Sequence, residues 1–261
     1  MSDFMQVAVQ AAKRAGEIQM EFMGRAKVEL KSGPSDLVTE ADRLCEKEVR
    51  AIIASAFPDH GFLGEEGNEA DAGSSGFRWL VDPIDGTTNY AHGVPLFAVS
   101  IGLEDKDGLR LGVIYAPALG ELYTAERGKG AFLNGEPIRV SDAANLEQSL
   151  LVTGFPHSSN PCELGNMGLF KAFTHRTRGV RRLGSAAINL AWVAAGRVDG
   201  FWEIGVNAWD VAAGAVLVAE AGGRTTEFSG HDYRLTSPQV IASNGRIHDA
   251  MMKVISEVGL D

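Results

Sequence analysis

The sequence is poor in cysteine, in long apolar runs and in basic charge, and each shortage excludes a class of protein. Its two cysteines, Cys45 and Cys162, are too few for a disulfide framework and lack the spacing of a metal site. No segment reaches the roughly 18 consecutive apolar residues of a membrane-spanning helix. The N-terminal "MSDFMQVAVQ" lacks the basic residues and the apolar run of a secretory signal. We therefore expect a cytoplasmic protein without membrane association.

Basic residues are outnumbered by acidic ones, 24 to 34, which gives a net charge of −10. An extended surface that tracks a nucleic-acid backbone is therefore not expected, although a small phosphorylated ligand could still be held by a few local charges. One basic cluster breaks the acidic background, and we interpret it as a solvated turn or a subunit contact in preference to a ligand site. Its members are His175, Arg176, Arg178, Arg181 and Arg182.

The period of the apolar residues changes along the chain. Spacings of three and four predict helices over 3–24 and over 40–57, the second ended by Pro58. Between 77 and 140 the period is two, which predicts strands joined by short turns and therefore paired antiparallel. Asn134-Gly135 is a strong hairpin signal within that stretch.

The segment "SDAANLEQ" at 141–148 is the best candidate boundary, because helices and strands alternate after it. The pattern there predicts helices near 162–175, 185–195 and 208–221 and strands at "SLLVTGF", "RGVRRLG" and "GFWEIG". We predict two halves, 1–145 and 146–261, built as stacked layers of helix and sheet in an α+β fold.

Two acids stand side by side at the end of a buried strand, in "WLVDPIDGTTNY" over 79–90. Asp82 and Pro83 suit the first two positions of a tight turn, and Thr87, Thr88 or Asn89 would suit the cap of a following helix. A turn needs only one acid, however. Because Pro and Gly hold Asp82 and Asp85 near each other, their repulsion is costly unless a proton or a cation lies between them.

Further acids occupy similar positions. Glu65 and Glu66 follow the strand "HGFLG", and Asp210 begins an almost wholly apolar helix. Carboxylates without His or Cys are hard ligands that suit Mg²⁺ or Mn²⁺, and such ions beside a helix N-terminus form a phosphate site. The competing interpretation is a haloacid-dehalogenase-type phosphatase, whose D-x-D-G-T motif lies near the N-terminus. The spacing here is D-x-x-D-G-T, which disfavours it.

Five segments together resemble the inositol monophosphatase family, in the lithium-sensitive, magnesium-dependent phosphatase superfamily. The most specific are "WLVDPIDGTTNYAHGVPLFAVSIGL" (79–103) and "NAWDVAAGAVLVAEAGG" (207–223). "DLVTEAD" (36–42), "GEEG" (64–67) and "GSAAINLAWVAAGRVDGFWEIG" (184–205) extend the resemblance over nearly the whole chain.

The resemblance implies a layered αβαβα sandwich of the sugar-phosphatase type, with an antiparallel sheet in the first half and a mixed sheet in the second. It also implies a homodimer that uses Mg²⁺ to hydrolyse a small phosphorylated polyol. By match to the family's motifs, the first metal is held by Glu65, Asp82 and the Ile84 carbonyl, and the second by Asp82, Asp85 and Asp210. Thr87, with Asp42 and Glu65, is implied to orient the attacking water. Substrate contacts are implied for Asp85, Gly86, Thr87, Arg181, Gly184, Ser185, Ala186, Glu203 and Asp210.

Inositol 1-phosphate is the first expected substrate. Histidinol phosphate, fructose 1,6-bisphosphate or a 3′-phosphonucleotide are alternatives, because the chain departs from some relatives at two positions that border the substrate pocket: it lacks a basic residue after His92, and it has Asn207 in "NAWD". A non-enzymatic protein that binds metal or sugar phosphate is the second class. Simpler interpretations also stand: Asp42 as a solvated helix residue, Glu203 as a strand acid facing water, and Ser185 as a helix cap.

Overall fold

The positions of the helices and strands follow the predicted change of period. The computed structural model describes residues 2–33, 36–67, 71–155 and 162–260. Helices in these residues are Asp3–Phe22 (α1), Glu40–Ala56 (α2), Thr87–Ala91 (α3), Cys162–Thr174 (α4), Ala186–Ala194 (α5), Ala208–Glu220 (α6) and His248–Val258 (α7). The strands of the first half are Val28–Gly33 (β1), Asp36–Thr39 (β2), His60–Gly64 (β3), Asp71–Gly73 (β4), Arg78–Asp85 (β5), Ala98–Asp105 (β6), Gly108–Ala116 (β7), Glu121–Glu126 (β8), Ala131–Leu133 (β9) and Glu136–Ile138 (β10). Those of the second half are Leu150–Thr153 (β11), Gly179–Arg182 (β12), Gly200–Ile204 (β13), Arg224–Thr226 (β14) and Gln239–Ser243 (β15).

These elements stack in five layers. Helices α1 and α2 cover one face of a sheet formed by β3–β10, and α5 and α6 cover the other face. The same two helices pack against the second sheet, β11–β15, whose far face is covered by α4 and α7. The predicted layered α+β sandwich is confirmed. One apolar cluster joins β6, β7 and β8 to α5, α6 and the second sheet, so the two halves share a core.

The first sheet has the order β10-β9-β8-β7-β6-β5-β3-β4. Its strands between 78 and 138 pair antiparallel as predicted, but β3 pairs parallel with β5. The parallel pair arises because β4 lies at the sheet edge beyond β3. The parallel pairing brings the C-terminal ends of β3 and β5 to the same edge of the sheet.

The second sheet is mixed, as expected. Strand β11 pairs parallel with β12 and β13, and β15 pairs antiparallel with β13 and β14. The hairpin at Asn134-Gly135 is confirmed, with positive φ angles of 50° and 87° that match the turn these two residues favour.

Asp82 and Pro83 do not begin a tight turn, which corrects the sequence-based interpretation. They belong to β5, whose pairing with β6 passes from Asp82↔Ser100 to Asp85↔Ala98. The three-residue step on β5 therefore opposes a two-residue step on β6, which is a β-bulge. In a regular strand, residues three apart face opposite sides. The extra residue restores the phase and lets Asp82 and Asp85 line the same cleft.

Two glycines seat α6 against the first sheet. A Cβ on Gly102 would lie 2.7 Å from the Cβ of Ala212, and one on Gly112 would lie 2.2 Å from the Ala213 carbonyl oxygen. Real Cβ contacts do not come this close, so the helix backbone rests directly on β6 and β7 only because both side chains are absent. This close approach places the first turn of α6 beside the end of β5.

Several elements were not predicted. The hairpin β1–β2, the short β4 and the C-terminal β14, β15 and α7 have no separate sequence prediction. The segment "KSGPSD" (31–36), whose Gly and Pro predict a turn, lies partly outside the described residues, at 34–35. Among the helices that are described, none combines the length and apolarity needed to cross a membrane.

His248, at the start of α7, gives the fold a pH-dependent stability. Its ring nitrogens lie 2.9 Å from the hydroxyls of Thr226 and Ser243, and burial lowers the pKa of His248 to about 4. In the unfolded chain the imidazole of His248 has its ordinary pKa near 6.5 and takes up a proton more readily than in the folded protein. The folded state therefore loses stability as pH falls from 6.5 towards 4. The loss should be at most about 3 kcal/mol. We expect urea denaturation of His248→Gln to show a shallower stability loss between pH 7 and 4.5 than wild type; equal slopes would contradict this.

Candidate active site

Elements from both halves converge on one cleft of about 500 Å³. The ends of β3 and β5 meet there with the N-termini of α3, α5 and α6 and with β13. Its acidic lining consists of Glu65, Asp82, Asp85, Glu203 and Asp210. The structure therefore brings together the four predicted metal-binding carboxylates, with Ile84, Gly86, Thr87, Gly184, Ser185 and Ala186 beside them. Asn207 also lines the cleft, as expected, together with His92.

Asp85 is fixed at the N-terminus of α5. Its carboxylate accepts hydrogen bonds from the backbone N–H groups of Ala186 (3.1 Å) and Ala187 (2.8 Å) and from the Ser185 hydroxyl. Ser185 is the N-cap of α5, as one interpretation proposed. Burial raises the pKa of Asp85 to about 6, and the three hydrogen bonds oppose this rise. The helix N-terminus thus favours the charged form of Asp85.

Asp82 lies at the centre of the acidic group. Leu80 and Val81, which precede it in β5, are buried. The Asp82 carboxylate accepts a 2.9 Å hydrogen bond from the Ile84 N–H. The carboxyls of Glu65 and Asp210 lie within hydrogen-bonding reach of Asp82. Burial, followed by the charges of Glu65, Asp85 and Asp210, raises the pKa of Asp82 well above its usual range. Neighbouring buried carboxylates must share protons or a cation, because their mutual repulsion disfavours the charged forms.

Asp210 belongs to the first turn of α6 and accepts a 2.7 Å hydrogen bond from the Asn207 N–H. Burial and then the charge of Asp85 raise the pKa of Asp210 to about 8. Part of the Asp210 surface still faces the cleft, so a ligand can reach it. In the described part of the chain, no Lys, Arg or His forms an ion pair with Asp82, Asp85 or Asp210.

The donor chemistry fits hard divalent cations. All the side-chain donors are carboxylate oxygens, and a dication would replace the protons that the raised pKa values require. Over residues 2–33, 36–67, 71–155 and 162–260, however, no three His, Cys, Asp or Glu side chains already form a group that could hold a metal ion. The carboxyls are within reach of one another instead. Metal binding therefore requires loss of these protons and reorientation of the side chains.

Thr87 and Asp42 meet beside the acids. The Thr87 hydroxyl lies 3.0 Å from the Ile84 carbonyl oxygen and 3.4 Å from Asp42 Oδ1. Asp42 Oδ2 accepts hydrogen bonds from the Thr39 N–H (2.8 Å) and hydroxyl (2.5 Å). Asp42 is only 1% exposed, so its interpretation as a solvated helix residue is wrong. The reciprocal capping of α2 buries Asp42 and leaves Oδ1 directed towards Thr87.

The loop that carries Glu65 is held from α2. The buried Glu46 carboxylate accepts a 2.8 Å hydrogen bond from the Glu66 N–H, and a Cβ on Gly64 would lie 2.3 Å from its Oε2. Glycine at 64 is therefore needed for Glu46 to reach this loop. Sequence reasoning missed Glu46 because an acid inside a helical pattern carries no local signal of burial.

Glu203 faces the cleft and not bulk water, so its interpretation as a strand acid facing water is wrong. Burial, then the charges of Asp210 and Asp85, raises the pKa of Glu203 well above its usual range. A Cβ on Gly154 would lie 2.0 Å from its Oε1. Gly154, in "TGF", thus provides the space for this carboxylate, which was not predicted.

The structure does not bring Arg181 to the cleft. Successive residues of β12 face opposite sides: Arg182 lines the cleft, whereas Arg181 lines a separate cavity with Arg178, Arg197 and Asp199. The helix-capping prediction also needs correction. Gly86, with φ at 95°, is the N-cap of α3, so Thr87, Thr88 and Asn89 lie inside the helix. Asn89 instead donates to the carbonyls of Leu96 and Leu183, both at 2.7 Å.

Comparison with known proteins agrees with this geometry. The inositol monophosphatase family profile matches residues 1–260. Inositol-1-monophosphatase of Mesorhizobium japonicum is 44% identical over 98% of this chain and 97% of its own length. Nus factor SuhB of Pseudomonas aeruginosa is 41% identical over 98% and 96%.

The same fold occurs in a solved structure. The crystal structure of extragenic suppressor protein suhB from Bartonella henselae superimposes with a TM-score of 0.93 at 42% identity, covering 98% of this chain and 99% of that one. Full-length similarity in sequence and in structure accompanies the acidic cleft. The chain therefore belongs to the inositol monophosphatase family and is a phosphatase that acts on phosphate monoesters.

Proposed function

We propose that the chain hydrolyses inositol 1-phosphate to inositol and phosphate with Mg²⁺ as cofactor. The observation that carries the proposal is the convergence of Glu65, Asp82, Asp85 and Asp210 in one cleft without an ion-paired cation on Asp82, Asp85 or Asp210 among the described residues. Family membership implies a metal-dependent reaction. The all-oxygen donor set, with the Ile84 carbonyl, supports Mg²⁺ over a softer metal.

Glu65, Asp82 and Ile84 would hold one ion, and Asp82, Asp85 and Asp210 a second. When bound, such ions supply a nucleophilic water at neutral pH and neutralise the charge that develops on the phosphoryl oxygens. In the overall reaction, a water oxygen bonds to phosphorus, the ester P–O bond breaks, and a proton ends on the released inositol oxygen. The other roles, which are to position the water, to receive its proton and to bind the substrate, are assigned to residues of this chain.

Thr87 and Asp42 are proposed to position the attacking water and to receive its proton. The single Thr87 proton can be donated to Asp42 Oδ1 at 3.4 Å, which leaves the hydroxyl lone pairs free to accept from water. Gly86 and Thr87 backbone N–H groups at the start of α3 are proposed to bind the phosphate. Ser185, Ala186, Gly184 and Glu203 are proposed to face the inositol hydroxyls.

Thr87→Ala should lower kcat by about 100-fold or more, the range typical of a lost proton-transfer group. Thr87→Ser retains a hydroxyl and should stay within about tenfold of wild type, and Asp42→Asn should resemble Thr87→Ala. Steady-state kinetics with inositol 1-phosphate across pH measure this effect. Equal activity of the Ala and Ser variants would remove Thr87 from the water-positioning role.

A phosphate-release screen tests the proposed function. Purified protein is assayed with inositol 1-phosphate, histidinol phosphate, fructose 1,6-bisphosphate and a 3′-phosphonucleotide, each with Mg²⁺, with EDTA and with added Li⁺. We expect release from inositol 1-phosphate that requires Mg²⁺ and is inhibited by Li⁺. Faster release from another ester would change the substrate assignment, and metal-independent release would contradict the Mg²⁺ assignment.

A regulatory role is the second candidate, because a relative 41% identical to this chain is named a Nus factor. The retained set Glu65, Asp82, Asp85, Thr87 and Asp210 favours catalysis, since a protein used only for docking need not keep all five. Absence of phosphate release from every ester in the screen would favour the regulatory role.

Three further proposals extend the sequence analysis, and of these only the homodimer rests on the family resemblance. The chain is proposed to act as a homodimer, to reside in the cytoplasm and to divide into halves at 145/146. Light scattering coupled to size-exclusion chromatography tests the first of these, and a monomer at micromolar concentration would contradict it.

A further inference from the structure

Arg182 is an unusual side chain in an acidic cleft. Five carboxyl groups line the cleft, and the described basic residues there are Arg182 and His92 alone. Arg182 was predicted only as part of a basic surface cluster. Because β12 directs Arg181 and Arg182 to opposite faces, only Arg182 of this pair reaches the cleft. The contribution of Arg182 is therefore separable from that of the rest of the cluster.

The guanidinium of Arg182 is held in place but has open donors. Its central carbon lies 5.5 Å from the centre of the Phe155 ring, a cation–π contact. Among the described residues, no side chain forms an ion pair or a hydrogen bond with it. Stacking on a ring occupies the face of the guanidinium, and its N–H groups at the edge stay available to a ligand.

Compensation of the Glu203 charge does not explain why Arg182 lies in the cleft. Its charge lies close enough to act on the Glu203 carboxyl, but the two groups form no ion pair. Glu203 fills the space left by Gly154, while Arg182 is exposed at the cleft wall. An exposed arginine fork beside a site for one phosphate matches a second phosphate or carboxylate, which it can bind through two parallel hydrogen bonds.

We infer that Arg182 is a specificity residue that binds a second anionic group on the substrate, and so widens the range of the cleft from polyol monophosphates to doubly anionic phosphoesters such as sugar bisphosphates. This inference rests on the proposed function, because it requires the first phosphate to lie at Gly86 and Thr87. A cleft of about 500 Å³ lies within the range that holds whole small-molecule ligands.

Two substrates that share one sugar test the inference. Fructose 1-phosphate and fructose 1,6-bisphosphate differ only in the second phosphate, and inositol 1-phosphate serves as the reference. The variants are Arg182→Gln, Arg182→Lys and, as the matched control, Arg181→Gln on the opposite face of the same strand. We expect Arg182→Gln to lower kcat/KM for the bisphosphate by about 10- to 100-fold, mainly through KM. Both monophosphates should change by less than about threefold.

The other variants sharpen the test. Arg182→Lys should recover part of the loss because it keeps the charge without the fork, and Arg181→Gln should change none of the three substrates. An equal effect of Arg182→Gln on all three substrates, or no effect on any, would overturn the inference. So would a wild type that hydrolyses inositol 1-phosphate but does not favour the bisphosphate over fructose 1-phosphate.

Failure of the proposed function gives a different result. If wild type releases no phosphate from any of the three with Mg²⁺, the proposed hydrolysis is wrong. The role of Arg182 is then tested separately, by the binding of the two fructose phosphates to the protein. A larger rise in melting temperature with the bisphosphate than with fructose 1-phosphate, abolished in Arg182→Gln and kept in Arg181→Gln, would support it; equal rises would overturn it.

Discussion

Asp85→Asn and Asp210→Asn should each lower kcat/KM by at least about 1,000-fold while the protein still folds. Each change removes a ligand charge in the proposed two-ion site, and the developing charge on the phosphoryl group then loses part of its stabilisation. Phosphate release from inositol 1-phosphate at saturating Mg²⁺ measures the loss. Near-normal turnover in either variant would contradict the metal assignment.

Asp210→Asn should raise the stability of the metal-free protein, although it lowers activity. Burial and the charge of Asp85 raise the pKa of Asp210 to about 8, so the folded metal-free protein holds this proton more tightly than the unfolded chain. An acid with a raised pKa loses stability as pH rises from its unfolded value, near 4, to its folded value. We expect metal-free Asp210→Asn to melt above metal-free wild type at pH 8, and to gain less from added Mg²⁺.

Asp199→Asn is the matched control. Asp199 is a buried acid outside the cleft that accepts hydrogen bonds from the Ser141 hydroxyl and the Leu150 N–H. Its substitution should lower the melting temperature but preserve activity and the response to Mg²⁺. If Asp199→Asn and Asp210→Asn behave alike, the effect comes from removing any buried charge and not from a metal site.

Gly112→Ala should damage stability and catalysis together. The new Cβ would lie 2.2 Å from the Ala213 carbonyl oxygen, so α6 must move away from β7 by about 1 Å to reach an ordinary contact distance. Overpacking of this kind typically costs about 1–3 kcal/mol. Asp210 lies one turn before Ala213, and a displacement near 1 Å at a catalytic group can cost about 100-fold in rate. Urea denaturation and kcat/KM measure the two effects.

Gly168→Ala provides the comparison. Its Cβ would meet only a Val258 methyl group at 3.1 Å, inside α4 and away from the cleft. This variant should keep wild-type activity and wild-type stability to within about 1 kcal/mol. Full activity in Gly112→Ala would show that α6 can shift without displacing Asp210.

Much of the fold could be predicted from periodicity. The change from a three-to-four-residue spacing to a spacing of two located α1, α2 and the strands β5–β10. Large side chains still alternate along β6, although both of its faces are covered, because Val99, Ile101 and Leu103 pack in the cluster with α1 and α2 while Gly102 lies against α6. The parallel pairing of β3 with β5 could not be predicted, since it depends on which edge β4 occupies. The bulge at Asp82 was hidden for a similar reason: the register of β5 is set by β6, not by its own residues.

The candidate site, like the fold, could be predicted only in part from the sequence. Asp82, Asp85, Asp210 and Glu65 stand next to glycine, proline or a helix start, so their unusual positions are visible in the sequence. Arg182 and Arg181 differ only in which face of β12 they occupy, and the exact strand phase was not available from "RGVRRLG". Gly154 and Gly64 act by leaving space for the distant carboxylates of Glu203 and Glu46, and such a role leaves no local sequence pattern.

The anchoring of Asp85 by α5 has a consequence for how the enzyme is made. As the ribosome synthesises the chain from its N-terminus, Asp82 and Asp85 emerge about 100 residues before Ser185, Ala186 and Ala187, which supply the hydrogen bonds to Asp85. A nascent chain that ends before α5 thus carries acids without the groups that orient them. We expect hydrolytic competence to appear late in translation, once both sheets have closed on the central helices.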